Sequence, residues 1–331
     1  MAKITFIVYE QCMFSAVAGL VDAFSIGNSW QRQSLRCNSG GSLPKRPLFE
    51  MEIASLKGGT VYTNGNMQIK SDRSMEEVDK SDLVLIPPHI CGVDPNQREI
   101  SAIIPWIVRQ YRNDVRIGAI CTGVSILAAS GLLNGRIATT NWQIIDRFRR
   151  QFPEVILKPE RILTEDSGLI CTGAITAQYN LALYVIALFG SEDLARECAK
   201  VFLVDPNRNT QKPYMITTFR KNHGDREVLR TQEWMEKHYM EEFTTDEVAN
   251  LAGLSSRHFK RRFKRATGEN PLRYLQQLRL ETAKNSLETT SDNIDEITLQ
   301  VGYNDTRTFR RLFKQYTSLS PREYRDKFSV V

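Results

Sequence analysis

The chain has 331 residues, of which 41% are hydrophobic and 25% are charged, which gives enough length and apolar content for two globular domains. No apolar run approaches the ~18 residues of a membrane-spanning helix, and the N-terminus lacks the pattern of a signal peptide. Six scattered cysteines without a CxxC pair indicate neither a disulfide framework nor a zinc site. We therefore expect a cytoplasmic protein with no metal and no cofactor.

The net charge of +6 is concentrated in the last part of the chain. Residues 1–205 contain 21 Lys and Arg and 21 Asp and Glu, whereas residues 206–331 contain 23 and 17. A neutral segment followed by a basic one indicates a second domain that binds a polyanion such as DNA.

The first 190 residues alternate between strand-like and helix-like segments. Continuous apolar runs of β-forming residues predict buried parallel strands, and longer segments between them predict helices. This alternation is typical of a parallel sheet covered by helices on both faces. We predict strands at 4–8, 49–56, 83–86 and 117–120, helices at 14–26, 103–111, from 124 and at 181–189, and a loop at 28–47.

Cys121 lies where the predicted strand at 117–120 turns into a helix. Such a turn places a side chain at the carboxyl end of the sheet, where ligands bind in open α/β sheets. The dipole of the following helix lowers the pKa of a thiol at its N-terminus. We therefore predict a site around Cys121 and a thiol pKa below its ordinary value.

The segment ICTGVSILAASGLLNGRIATTNW, from Ile120 to Trp142, resembles the corresponding region of ThiJ/PfpI-type domains. These domains are flavodoxin-like relatives of class I glutamine amidotransferases. The resemblance covers about residues 3–190 and is strongest with the members that are fused to AraC-type DNA-binding domains. It implies an α/β flavodoxin-like parallel sheet for the N-terminal domain.

The residues that the related enzymes place beside their cysteine are replaced in this chain. Hydrolytic relatives pair the cysteine with a histidine and an acid, but here Thr122 follows the cysteine, Asn141 stands in the ATTNW segment and Ala16 occupies the approximate position of the acid. His89, in the sequence Pro-Pro-His, is the one histidine of this half. Nucleophilic catalysis needs a base within reach of the thiol. The resemblance therefore implies no catalytic residue, and a ligand-binding site formed by Cys121, Thr122, His89 and Asn141.

Three alternatives to ligand sensing remain open from the residues alone. Cys121 and His89 could retain chemistry, which would make the protein a cysteine-dependent amidase or hydrolase fused to a DNA-binding domain. Cys121 could instead respond to oxidants, or the domain could serve only for dimerisation. A second ICTG sequence ends at Gly173, and by its place in the family we interpret its Cys171 as structural.

Residues 191–224 are predicted to connect the two domains. Ser191 is a suitable N-cap for a helix that continues to about Val204. Pro, Asn and Gly residues in 205–213 and 222–225 indicate an exposed connection. We therefore predict a first domain at 1–190, a connecting segment at 191–224 and a second domain at 225–328.

Two basic amphipathic helices are predicted 50 residues apart, in LSSRHFKRRFK (254–264) and NDTRTFRRLFK (304–314). In each, two phenylalanines four residues apart form an apolar face, and cations cover another face. Each follows a short helix and a glycine turn, which predicts two helix-turn-helix motifs. A helix from Pro271 to about Leu287 is predicted to join them.

Residues 225–328, and above all ITLQVGYNDTRTFRRLFKQYTSLSPREYR (297–325), resemble the AraC/XylS family. This implies an all-α C-terminal domain with tandem helix-turn-helix motifs. We expect Arg257 and Arg307 to contact bases, because arginine pairs bidentately with guanine. The positions that match the family's base-reading residues are Ser256, Arg257, Lys260, Arg261, Thr306, Arg307, Arg310 and Arg311.

These observations predict a sequence-specific, DNA-binding transcriptional regulator. Its expected partners are double-stranded promoter DNA, an unidentified small-molecule effector, a second copy bound through the N-terminal domain, and the transcription machinery.

Overall fold

A computed structural model describes residues 1–39, 46–90 and 97–330, without the side chains of residues 34–39. It divides into two compact units, Met1–Gln211 and Lys212–Val331. The division falls inside the segment 191–224 that the sequence predicts as a connection. No helix among the described residues is long and apolar enough to cross a membrane.

The first unit is built on a mostly parallel sheet of seven strands. Its order is β10-β11-β7-β6-β1-β2-β5, and every neighbouring pair is parallel except β10 and β11. The predicted flavodoxin-like fold class is confirmed. The strands are β1 Ala2–Val8, β2 Phe49–Ser55, β3 Gly59–Tyr62, β4 Gln68–Ser71, β5 Arg73–Ser74, β6 Leu83–Ile86, β7 Arg116–Ile120, β8 Ile137–Ala138, β9 Ile156–Leu157, β10 Leu163–Asp166 and β11 Leu169–Thr172.

The chain reverses its direction across this sheet between β1 and β6. From β1 it moves outward to β2, and it then returns to the other side of β1 to form β6 and β7. Ligands of doubly wound sheets bind at such a switch point, beside the carboxyl ends of the strands. This places the residues that follow β1, β6 and β7 at one edge.

The helices of the first unit are α1 Phe14–Ser39, α2 Arg98–Arg112, α3 Val124–Ala129, α4 Ile145–Gln151, α5 Gln178–Phe189 and α6 Glu192–Phe202. The loop predicted at 28–47 is wrong for its first part, because α1 continues to Ser39; residues 40–45 lie outside the described residues. Asn28, the first residue of the predicted loop, forms hydrogen bonds through its side-chain amide with the backbone of β2. Its Nδ2 donates to Phe49 O at 2.9 Å, and its Oδ1 accepts from Phe49 N at 2.8 Å.

Helix α6, predicted within the connecting segment, is packed into the first unit. Ser191 caps it by accepting a hydrogen bond from Leu194 N at 3.1 Å. Leu194 and Cys198 are buried in the same core as the sheet. This helix therefore belongs structurally to the first unit.

The second unit is all-helical and has two hydrophobic cores. Its helices are α7 Arg226–Lys237, α8 Thr245–Leu251, α9 Ser256–Thr267, α10 Pro271–Thr289, α11 Ile294–Gln300, α12 Thr306–Thr317 and α13 Pro321–Phe328. Helix α10 contributes Tyr274 and Leu275 to the first core and Leu280, Ala283 and Leu287 to the second. At ~1.5 Å per residue, its 19 residues form a rod of about 28 Å that carries one helix-turn-helix half at each end.

The two halves repeat the same local chemistry. Capping boxes at Thr244 with Glu247 and at Asn293 with Glu296 begin α8 and α11. Gly253 and Gly302 form the turns before the basic helices, at φ values of 65° and 82°. A left-handed backbone of this kind favours glycine.

Contacts across α10 hold the halves together. The Arg279 guanidinium donates from Nε to Tyr239 O at 2.6 Å and from one Nη to Glu241 O at 2.8 Å. It also lies 5.3 Å from the centroid of the Tyr303 ring. The backbone of Gly302 packs against Met240 so closely that an added Cβ would lie 2.7 Å from Met240 O.

Candidate functional site

Cys121 forms the elbow between β7 and α3, as the sequence predicts. Its φ of 55° is unusual for a residue with a side chain, and such conformations occur where the surrounding structure enforces them. Gly123, two residues on, packs against the end of β6. A Cβ there would lie 2.5 Å from Pro87 O and 3.0 Å from Ile86 O. The elbow is therefore held against the loop that carries His89.

His89 and Thr122 are paired through the backbone of the histidine. Thr122 Oγ1 donates to His89 O at 2.6 Å and accepts from His89 N at 2.9 Å. Within the described part of the chain, His89 Nδ1 is buried and has no hydrogen-bond partner. Burial lowers the pKa of His89, which favours the neutral imidazole.

Asn141 provides the polar contact of the thiol. Its Nδ2 donates to Cys121 Sγ at 3.3 Å, while its Oδ1 accepts from Gln143 N at 2.9 Å and so fixes the orientation of the amide. Thr140 Oγ1 donates to Cys121 O at 2.9 Å. The structure thus brings together the four predicted residues Cys121, Thr122, His89 and Asn141 at the carboxyl edge of the sheet.

The predicted lowering of the thiol pKa is wrong. Burial raises the pKa of Cys121, and the hydrogen bonds from Asn141 and Thr122 offset this only in part. Helix α3 has six residues, so its dipole is short, whereas the thiol is almost entirely removed from water. The site favours the thiol form of Cys121.

Cys121 is therefore expected to react slowly with iodoacetamide at pH 7, and faster only as the pH rises above the ordinary range of a thiol, because the thiolate is the nucleophile. Asn141→Ala should slow the reaction further, since it removes a hydrogen bond that stabilises the thiolate. Mass spectrometry of each cysteine peptide, with an unfolded peptide as control, measures these rates. Faster labelling of native Cys121 than of the peptide would contradict the assigned shift.

The other cysteines whose side chains the structure describes, Cys12, Cys171 and Cys198, are buried and unpaired. Cys171 lies on β11, and burial raises its pKa to about 12, in keeping with a structural role. Cys12 follows β1, pairs by backbone with His89, and has a pKa raised by burial to about 11. Cys91 lies outside the described residues.

Sequence reasoning missed several residues at the same edge. Tyr9 is fully buried and its hydroxyl donates to Pro87 O at 2.7 Å, so it fixes the loop before His89. A cavity of about 700 Å³ opens beyond β1, and Glu10, Lys57, Arg98 and Glu99 are among its lining residues. The four predicted ligand residues do not line this cavity. The sequence offered one indication of these residues. Tyr9 and Glu10 directly follow a predicted buried strand, so they lie at the carboxyl end of the sheet.

The two basic helices α9 and α12 present the same pair of faces. Phe259 and Phe263 are completely buried on α9, and Phe309 and Phe313 on α12. The predicted reading cations are exposed, namely Arg257, Lys260, Arg261, Arg307, Arg310 and Arg311, whereas Ser256 and Thr306 are half-buried at the first position of each helix. Arg310 lies 3.9 Å from Asp295 in an exposed ion pair.

One cation of α9 outside the predicted DNA-reading set has a structural role. Arg262 donates from Nε and one Nη to the Asp225 carboxylate at 2.6 and 2.9 Å. This bidentate pair ties α9 to the N-cap of α7 and keeps the pKa of Asp225 below its ordinary value. Ser255 stands at the N-cap position of α9 but makes no capping side-chain hydrogen bond.

Comparison with known proteins matches both parts of the chain. The DJ-1/PfpI family profile matches residues 44–187, and a helix-turn-helix domain profile matches residues 248–327. The chain is 28% identical over 281 residues to the HTH-type transcriptional regulator CdhR of Pseudomonas aeruginosa, which covers 84% of this chain and 82% of that protein. It is 27% identical over 287 residues to the HTH-type transcriptional regulator GbdR of the same species, covering 86% and 76%.

A solved structure shows the same fold. The crystal structure of an AraC family transcriptional regulator from Pseudomonas putida matches with a TM-score of 0.50 and 15% identity, and covers 61% of this chain and 100% of that one. The chain thus joins a domain of the DJ-1/PfpI family to an AraC-type helix-turn-helix domain.

Proposed function

We propose that the protein is a transcriptional regulator that binds a specific promoter sequence through α9 and α12. The observation that carries this proposal is the repeat in the second unit: two exposed basic helices, each anchored by two buried phenylalanines, at the ends of one 19-residue helix. A helix with exposed cations fits the major groove of DNA. Two such helices on a rod of about 28 Å suit successive grooves on one face, about 34 Å apart.

In this proposal the residues that recognise DNA lie in the first two turns of α9 and of α12. Ser256, Arg257, Lys260 and Arg261 recur at the spacing of one helical face, and Thr306, Arg307, Arg310 and Arg311 repeat this arrangement. In this proposal the arginines at 257 and 307 contact base edges, and the other cations contribute to phosphate binding.

Arg257→Ala and Arg307→Ala are each expected to weaken binding by ~1–3 kcal/mol and to relax specificity at one base position. Affinities are measured for the full chain on a duplex enriched from a random-sequence pool, and on its single-base variants. Arg265→Ala, which removes an exposed cation of α9 outside the reading set, is the control, and any loss it causes should be uniform across sequences. Uniform weakening by Arg257→Ala or Arg307→Ala would instead assign these residues to phosphate.

The N-terminal domain is proposed to sense a small-molecule effector that binds near Cys121, without turnover. What supports this is the buried thiol with a raised pKa, its Asn141 partner in place of a base, and relatives named as regulators. We further propose that this domain forms a homodimer and that the protein acts with the transcription machinery in the cytoplasm.

The competing function is a cysteine-dependent amidase or hydrolase. Cys121→Ala separates the two: a sensor keeps DNA binding and loses at most its response, whereas an enzyme loses turnover. Amide hydrolysis by the full chain that disappears in Cys121→Ala would replace the sensor proposal. A response to oxidant in a promoter reporter that is unchanged in Cys121→Ala would remove a redox role for this cysteine.

A further inference from the structure

The segment that enters the second unit is bound along helix α10. Lys284 Nζ donates to Met215 O at 2.6 Å, and Thr217 N donates to Glu281 Oε1 at 3.1 Å. The Phe219 ring then packs on the Tyr274 ring, with 4.8 Å between centroids. We call residues Lys212–Phe219 the strap.

The strap runs antiparallel to α10. Met215 contacts Lys284, and Phe219, four residues later in the strap, contacts Tyr274, ten residues earlier in the helix. Four extended residues span about 13 Å and ten helical residues about 15 Å, so an extended strap matches the helix axis. It passes from the second hydrophobic core to the first, because Tyr274 belongs to the first.

The strap forms hydrogen bonds with a buried ion pair of α10, Lys284 and Glu281. Lys284 is 4% exposed, and its Nζ lies 3.0 and 3.2 Å from the two carboxylate oxygens of Glu281. The carbonyl of Met215 supplies a further acceptor for this ammonium group. A buried charge needs its full set of partners, so the strap completes a site that would otherwise be under-satisfied.

The strap also contacts α12, which is the second of the two helices proposed to read DNA and is called the second reading helix below. Lys212 Nζ donates to Gln315 O of α12 at 3.2 Å, and the Thr217 hydroxyl is hydrogen-bonded to the Tyr316 hydroxyl. Tyr316 OH in turn donates to Glu281 Oε1 at 2.8 Å. One network therefore joins the strap, α10 and the end of the helix that carries Arg307.

The residue before the strap is anchored in the first unit, close to the elbow. Gln211 is 2% exposed, and its Nε2 donates to Pro159 O at 2.6 Å and to Thr140 O at 3.0 Å. Thr140 also donates to Cys121 O, and the next residue, Asn141, contacts the thiol. A path of hydrogen bonds therefore joins the elbow to the residue next to Lys212.

We propose that the strap is the device through which the Cys121 site controls the second reading helix. An effector that shifts the segment Thr140–Asn141 moves Gln211, and with it the fit of the strap on Lys284, Glu281 and Tyr316. This rests on the proposed function, because it assigns a regulatory path to the same site. Lys284 acts here as a positioning residue for α12.

Thr217→Val and Lys284→Met in the full chain test the strap, with Asn285→Ala, an exposed position of the same helix, as the matched control. The probes are a duplex enriched by the wild type and the same duplex with the half-site of the second reading helix scrambled. Both variants are expected to bind the intact duplex about tenfold more weakly, which is the effect of losing one hydrogen bond to a charged network. Their affinity for the scrambled duplex should not change.

Equal losses of affinity for both duplexes would overturn the proposed role of the strap. A Thr217→Val variant that binds DNA as tightly as Asn285→Ala would overturn it as well. Thr217→Val keeps the test valid if Lys284→Met unfolds. The coupling to the elbow is tested by a double-mutant cycle of Asn141→Ala and Thr217→Val. Asn141→Ala alone should change the ratio of the affinities for the intact and the scrambled duplex. The same substitution should leave this ratio unchanged when Thr217→Val is already present. Additive effects would overturn the coupling. A wild type that does not distinguish the two duplexes would instead contradict the proposed function.

Discussion

Gly302→Ala is expected to lower the unfolding free energy of the second unit by about 2–5 kcal/mol. Two costs combine at this turn. The φ of 82° is strained for any residue with a Cβ, and the new methyl group would lie 2.7 Å from Met240 O and 2.9 Å from Tyr239 O. Both contacts are with backbone, which cannot move aside as a flexible side chain does.

Gly253→Ala is the matched control for this substitution. Gly253 forms the equivalent turn of the first half at a φ of 65°, but a Cβ there meets nothing within 4 Å. Only the backbone strain of about 1–2 kcal/mol should remain. Urea unfolding of the two full-length variants, followed by tryptophan fluorescence and circular dichroism, measures the difference. Equal losses would mean that the Met240 backbone yields and that Gly302 does not fix the contact between the halves.

Gly123→Ala should destabilise the first unit by about 3 kcal/mol and displace the elbow. Its Cβ would lie 2.5 Å from Pro87 O, so the loop that carries His89 has to move away from β7. The paired hydrogen bonds between Thr122 and His89 span the same gap and would be strained or lost. We expect Cys121 to become more reactive toward iodoacetamide as a result.

Gly118→Ala, on the strand β7 that leads into the elbow, provides the comparison. An added Cβ there lies 2.6 Å from Leu85 Cδ2, which is the far end of a side chain that can change rotamer at a cost of about 1 kcal/mol. Thermal unfolding and cysteine labelling of both variants give the stability and the exposure of the elbow. A Gly118→Ala variant as unstable as Gly123→Ala would show that general crowding, rather than the approach of two loops, limits this region.

Local patterns predicted the DNA-binding half well. The positions of α9 and α12 follow from phenylalanines four residues apart, and their turns from glycines, because these signals act within one helix. The parallel strands β1, β6 and β7 were equally visible as apolar runs. The grouping of the four site residues, Cys121 included, came from the family resemblance, since no local rule places His89 beside Thr122.

The failures share a tertiary cause. Helix α1 continues where a loop was predicted, and the Asn28 side chain there pairs with Phe49, the first residue of β2 and distant in the chain. The thiol pKa rises rather than falls because burial, which sequence does not reveal, outweighs a short helix dipole. The strap has no hydrophobic periodicity, and its partners on α10 lie more than fifty residues away in the chain.

The position of the strap has a consequence for protein engineering. Chimeric biosensors are made by grafting a foreign input module onto a DNA-binding module, and the polar residues around Asp225 look like a natural place to cut. A graft there would remove the Met215 carbonyl from the buried ammonium of Lys284 and the Phe219 ring from Tyr274. The transferable module is better taken from Lys212 onward, so that it keeps its own peptide along α10.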